Sequence, residues 1–89
     1  MEESFVIRYD SHVSDDLDHI DSAWIKEINR AISTKLTSNP LRAGKPLQHS
    51  LKGVRALRVG DYRVAYVVQG TIVTVGLIGH RKNVYQDLV

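Results

Sequence analysis

The sequence predicts an α+β fold in which two N-terminal helices pack on one face of a small antiparallel sheet. Three observations lead there. Apolar residues in the first half recur at steps of three and four, as on one side of a helix. From Val54 the period switches to two, as in half-buried strands. Glycines then punctuate the second half at Gly60 and Gly70, where tight turns are needed. Eighty-nine residues make a single domain, 1–89, whose small size demands a compact core.

The elements follow in order. Ser4 to Tyr9 is β-branched and aromatic and reads as a first strand, with Phe5 and Ile7 on one side. Ser11 can cap a short helix carrying Val13, Leu17 and Ile20. Asp15 and Asp16 in its first turns suit the helix dipole. Asp21 or Ser22 caps a longer helix whose stripe is Ile25, Ile28, Ile32 and Leu36, widened by Trp24 and Ala31. It should stop near Ser38, because Asn39 precedes Pro40 and is pushed out of the helical region. The stretch NPLRAGKPLQHSLKG reads as a connector pinned by Leu41, Leu47 and Leu51.

Three antiparallel strands are predicted over 54–59, 62–68 and 71–78, with turns at Gly60-Asp61 and Gln69-Gly70. Setting Val59 opposite Tyr62 places Leu57 against Val64 and Arg58 against Arg63. Setting Val68 opposite Thr71 brings Tyr66 to Val73 and Val64 to Val75. One face then collects Leu57, Val59, Tyr62, Val64, Tyr66, Val68, Val73, Val75 and Leu77, and packs on the helices. The other holds Ala56, Arg58, Arg63, Ala65, Thr74 and Gly76, with Val67, Ile72 and Ile78 beyond them.

Charge is divided along the chain. Residues 1–44 carry five Lys/Arg and eight Asp/Glu, whereas residues 45–89 carry seven Lys/Arg and only Asp61 and Asp87 as acids. A basic half on a small domain is the electrostatic footprint of a polyanion-binding protein. The chain has no cysteine, which excludes disulfides and thiolate metal sites. No stretch nears the roughly 18 apolar residues of a membrane span, so a cytoplasmic protein with no membrane partner is expected. Like charges opposite each other on a sheet cost stability. Arg58 and Arg63 therefore imply an anion between them, unless each pairs with an acid such as Asp61 or reaches out to water. His80 has the strand parity of Arg63 if the last strand runs that far, and Arg81 and Lys82 follow at once. Tyr85 lies four residues beyond Arg81. His12 and His19 flank Asp16 at helical spacing, but solvated side chains are the expected state, and no metal site is predicted.

Taken together, NPLRAGKPL, LKGVRALRVGDYRVAYVV and IGHRKNVY, in that order, resemble the RelE/ParE toxin superfamily over essentially the whole chain. The resemblance implies the helix-on-sheet fold above and metal-independent, cofactor-free endonucleolytic cleavage of mRNA in the ribosomal A site. In that reaction the ribose 2′-hydroxyl attacks the adjacent phosphate. By position, Arg63 matches the arginine on the scissile phosphate, Arg81 the second functional arginine, and Tyr85 a tyrosine serving as base or stacking group. Arg58 matches a position that holds the RNA backbone, and Lys45, Lys52 and Lys82 supply further cations for it. The family's ribosome-dependent members carry paired lysines where this chain has Val54 and Ala56. His80 stands in as the group exchanging a proton, since histidine ordinarily titrates near neutrality.

The implied partners are mRNA, the ribosome and a cognate RelB-like antitoxin, acidic and partly disordered, through which alone operator DNA is contacted. The antitoxin should cover Val67, Ile72 and Ile78 on the open face, unless the tail from Val84 to Val89 does so. Two other readings share the fold: a ParE-like inhibitor of DNA gyrase, and a module that binds antitoxin without catalysis.

Overall fold

In the computed structural model, residues 4–47 and 53–82 are described. They form one five-stranded sheet in the order β1-β5-β4-β3-β2, with helices against one face. The strands are β1 (Val6–Tyr9), β2 (Lys45–Pro46), β3 (Arg55–Val59), β4 (Tyr62–Gln69) and β5 (Ile72–His80). The helices are α1 (Val13–Leu17), α2 (Ser22–Ala31) and α3 (Pro40–Ala43). The α+β class stands, with one refinement. β1 joins β5 in parallel, from Val6 opposite Ile72 to Tyr9 opposite Val75, while the remaining pairs are antiparallel.

The long helix runs as its apolar spacing requires. Ile28, Ile32 and Leu36 are buried against Leu57, Val64, Tyr66, Val73, Val75 and Ile78 from the sheet, and Val13 and Ile20 close the core beside α1. Burying side chains of this size contributes about 1.5–3 kcal/mol each. Its last part, Ile32–Leu36, is π-helical rather than α-helical. Around that segment Thr34, Thr37 and Ser38 donate their hydroxyls to the carbonyls of Arg30, Ser33 and Thr34. Such back-bonding bends and loosens a helix. The Thr37 carbonyl meanwhile accepts the Phe5 N–H at 2.9 Å, tying the start of β1 to the helix end.

Several local expectations change. Ser11 does not cap α1. His12 occupies that position without a side-chain cap, and the Ser11 N–H donates to Asp10 Oδ1 at 2.8 Å. The connector after Asn39 is more ordered than a loop, because Pro40 opens α3 at a position where its missing N–H costs nothing. Lys45 and Pro46 then add β2 to the outer edge of β3, where a proline is tolerated. Arg55 and Tyr66 hold α3 in place: Arg55 Nη2 donates to the carbonyls of Leu41 (2.5 Å) and Gly44 (3.2 Å), and Tyr66 Oη to that of Pro40 (2.5 Å). Burial pushes the Tyr66 phenol above its ordinary pKa, against the opposing pull of the Gly44 backbone and Arg55.

The β3–β4 register is the expected one, Val59 opposite Tyr62 and Arg58 opposite Arg63. The β4–β5 register is not. Gln69 opposes Ile72, so Gly70 and Thr71 are the turn residues, and Val68 meets Val73. Between the pairs Tyr66–Val75 and Ala65–Leu77, Gly76 has no partner and forms a bulge. One extra residue flips every later side chain to the opposite face. Ile78, expected on the open face, is 2% exposed in the core, and Leu77 takes the open face instead.

Candidate functional site

The open face of the sheet carries the cations that strand parity put there. Arg58 and Arg63 are direct cross-strand neighbours, Arg58 exposed and Arg63 half-buried. Lys45, opposite Ala56 on the edge strand, shares their face and is exposed. Like charges facing each other this way repel by an amount comparable to an ordinary cross-strand pair energy, about 0.2–1 kcal/mol. The structure shows how the repulsion is contained. Arg63 Nη1 turns toward the hairpin tip and donates to the carbonyls of Gly60 (3.0 Å) and Tyr62 (2.9 Å).

Arg81 arrives at the same tip from β5. Its backbone N–H donates to the Asp61 carbonyl at 2.8 Å, and its Nε lies 3.9 Å from Asp61 Oδ1. One turn, Gly60-Asp61, thus contacts both of the arginines for which the family resemblance implies a role. Asp61, considered from the sequence only as a partner for Arg58 or Arg63, pairs with Arg81. Trp24 is the second residue the reading undervalued. Its ring lies against Gly60, where an added Cβ would collide with it, and its centroid is 5.4 Å from that of Tyr62. No spacing in the sequence could have announced this contact, because α2 and the hairpin are joined only by the fold.

His80 is not where parity placed it. The Gly76 bulge sets it opposite Tyr62, while Gly79 faces Arg63. His80 therefore shares the face of Tyr62, with ring centroids 5.8 Å apart and planes at 76°. Its Nδ1 accepts the Lys82 N–H at 3.2 Å, which leaves Nε2 to carry the proton in the neutral ring. It reaches the hairpin tip from the side opposite Arg58 and Arg63. Lys82 is exposed just beyond it. Lys52 and Tyr85 lie outside the described residues. Among the described residues no group of three or more His, Asp or Glu is arranged to hold a metal ion. His19 leaves α1 and binds the Asp15 carbonyl through Nδ1.

Next to the arginine pair the open face sinks into a concavity of about 550 Å³. Ala65, Val67, Gly76 and Leu77 line it, with Asp10 and Asp16 at one side. Asp16 is fixed there because its Oδ2 accepts the Ile78 N–H at 3.1 Å, on the part of β5 that β1 leaves uncovered.

The architecture is that of a small helix-backed sheet with a basic hairpin on its open face. Comparison with known proteins gives that architecture a family. The family described as "ParE toxin of type II toxin-antitoxin system, parDE" matches residues 7–85, and the chain belongs to that family, within the RelE/ParE toxin superfamily. Toxin RelG of Mycobacterium tuberculosis is 27% identical over 84 residues, 92% of this chain and 97% of that one. Toxin RelE of the same organism is 52% identical over 33 residues, 37% of this chain and 34% of that one. Among solved structures, a RelBE toxin–antitoxin complex from M. tuberculosis matches with a TM-score of 0.80 at 27% identity, covering 89% of this chain and 93% of that one. A RelB–RelE complex from Methanococcus jannaschii matches at 0.73 and 22% identity, covering 92% and 99%, a likeness of fold alone. No helix among the described residues is long and apolar enough to cross a membrane.

Proposed function

We propose that this toxin is an endoribonuclease that cuts messenger RNA in the ribosomal A site. The observation that carries the reading is the hairpin tip, where Arg63 and Arg81 are both tethered to Gly60-Asp61 beside the Arg58 pair. In the reaction the ribose 2′-oxygen bonds to the adjacent phosphorus as its proton leaves to a base. The bond from phosphorus to the 5′-oxygen breaks, and that oxygen takes a proton, leaving a 2′,3′-cyclic phosphate and a 5′-hydroxyl. The pentacovalent intermediate gathers negative charge, which fixed cations stabilise without reorganising. Arg63 and Arg81 fill that role, and Arg58, Lys45, Lys52 and Lys82 hold the flanking backbone. His80 exchanges the proton, and Tyr85 acts as base or stacks on an unpaired base, the stacking worth about 1–3 kcal/mol.

Primer extension on mRNA from cells producing the chain tests this. Cuts within translated codons, lost in Arg63→Ala and Arg81→Ala with folding intact, are the expected result. Loss of one such cation should slow cleavage by about 10²–10³. The side of the sheet on which His80 sits favours a second reading, in which the chain arrests growth by binding DNA gyrase without hydrolysis. Growth arrest with uncut mRNA and inhibited supercoiling would establish it. His80→Gln separates the two further, because only a ribonuclease loses the histidine limb of its pH–rate profile.

The toxin acts in the cytoplasm and is held inactive by a RelB-like antitoxin, whose acidic, partly disordered segment folds across the open face. The toxin–antitoxin complex among the structural relatives supports an antitoxin partner. Val67 and Ile72 remain candidates for that contact, whereas Ile78 is excluded by its burial. Residues 84–89 lie outside the described residues. Hydrogen exchange should show β4 and β5 gaining protection when the antitoxin binds.

A further inference from the structure

We infer that the concavity on the open face seats one nucleobase of the bound RNA and selects bases carrying an exocyclic amino group. The inference rests on the reading that Arg58 and Arg63 hold an RNA backbone. Ala65, in the wall of the concavity, lies on the same face as Arg63 and two residues along β4, roughly 7 Å away. That spacing is between the two backbone positions; a base whose phosphate is held at the Arg58–Arg63 pair has the hollow as the next open surface along the strand. The hollow of about 550 Å³ falls within the range of small-ligand sites.

Its shape has a local cause. Gly76 is the bulged residue of β5, and a Cβ built on it meets nothing within 4 Å. Glycine inside a strand often marks where another group must approach the backbone closely. The wall opposite is apolar. Val54 lines it, facing Ala65, Val67 and Leu77. A base can therefore lie flat on apolar surface beside the phosphate-binding cations.

The rim supplies the selection. Asp16 spends Oδ2 on the Ile78 N–H, and Asp10 spends Oδ1 on the Ser11 N–H with His12 Nδ1 3.9 Å away. Each carboxylate keeps an oxygen for another donor. Carboxylates are acceptors only. They repel phosphate and the carbonyl edge of uracil, and they accept from the amino group of cytosine, adenine or guanine. Cytosine and uracil differ at that position while sharing ring size and, as 5′-monophosphates, charge.

The probes are therefore cytidine and uridine 5′-monophosphate, titrated into the full chain and followed by backbone amide shifts. The cytidine nucleotide should bind about tenfold more tightly, a single charge-assisted hydrogen bond's worth, and should move Thr74, Gly76 and Leu77. Asp16→Asn keeps an acceptor for Ile78 but offers a donor to the base, and should bring the ratio to about one. Gly76→Leu fills the hollow and should weaken the cytidine nucleotide to the level of the uridine one. Equal affinities in the native chain, or a ratio that survives both substitutions in folded protein, overturns the subsite. Arg63→Ala should weaken both nucleotides equally. If it weakens neither, the RNA-backbone reading itself fails, a result distinct from loss of selectivity.

Discussion

The two hairpins of the sheet turn on glycines of nearly equal φ, +58° at Gly60 and +60° at Gly70, each at the first turn position. Around Gly70 an added Cβ meets nothing within 4 Å, and the neighbouring Thr71 carbonyl accepts the Val6 N–H at 2.8 Å. Around Gly60 the Trp24 ring closes off the same space, two carbonyls hold Arg63, and Asp61 holds Arg81. The backbone solves one geometric problem in both places. Only at Gly60 is the solution packed from behind, by α2, and loaded with charge in front. A turn that positions two arginine side chains needs a rigid back, while one that uses only its backbone does not.

Urea unfolding can break this contrast or sharpen it. Gly60→Ala should cost the most, about 3 kcal/mol, because the left-handed conformation penalises any side chain by about 1–2 kcal/mol and the Trp24 contact must also give way. Trp24→Ala should cost about 2 kcal/mol, less than for a fully buried tryptophan because the ring is only partly buried. In that background Gly60→Ala should fall to about 1 kcal/mol, a coupling that only direct contact produces. Gly70→Ala should cost about 1 kcal/mol with or without Trp24. Equal costs at the two glycines in the native background would dissolve the distinction. The smallest effect belongs to Asp61→Asn, below about 1 kcal/mol, since both ends of its pair with Arg81 are more than half exposed. Its consequence should appear instead as a loss of mRNA cleavage with stability nearly unchanged.

The same contrast marks where sequence reasoning worked. The β3–β4 register was legible because Val59, Gly60, Asp61 and Tyr62 leave one way to close a two-residue turn. That register alone put Arg58 beside Arg63. The helix stripe Ile28, Ile32 and Leu36 was legible for a similar reason, since its spacing has one solution. In β5 the reading missed the turn by one residue, which shifts the register by two and keeps the faces, and then failed at Gly76, which reverses them. A bulge is one uncounted residue, and a glycine offers no side chain whose hydrophobicity could betray it. Val73 and Val75 before it fell on the expected face, while Leu77, Ile78 and His80 after it were exchanged. The candidate site inherits this division: the Arg58–Arg63 pair was readable from parity, the place of His80 was not. Trp24, Gly60 and Asp61 needed the third dimension.

The parallel seat of β1 beside β5 has a consequence for how the chain comes into being. Val6 to Tyr9 leave the ribosome well before their hydrogen-bonding partners, Ile72 to Val75. Contacts so distant in sequence are entropically expensive to form and slow folding relative to local ones. During synthesis the helices and the β3–β4 hairpin can assemble on their own local contacts. The sheet closes only when β5 is released and β1 docks along it, burying the side of the strand that carries Phe5 and Ile7. The sheet therefore cannot be finished until Ile72 to Val75 have been made, and truncation before Ile72 leaves β1 with nowhere to pair.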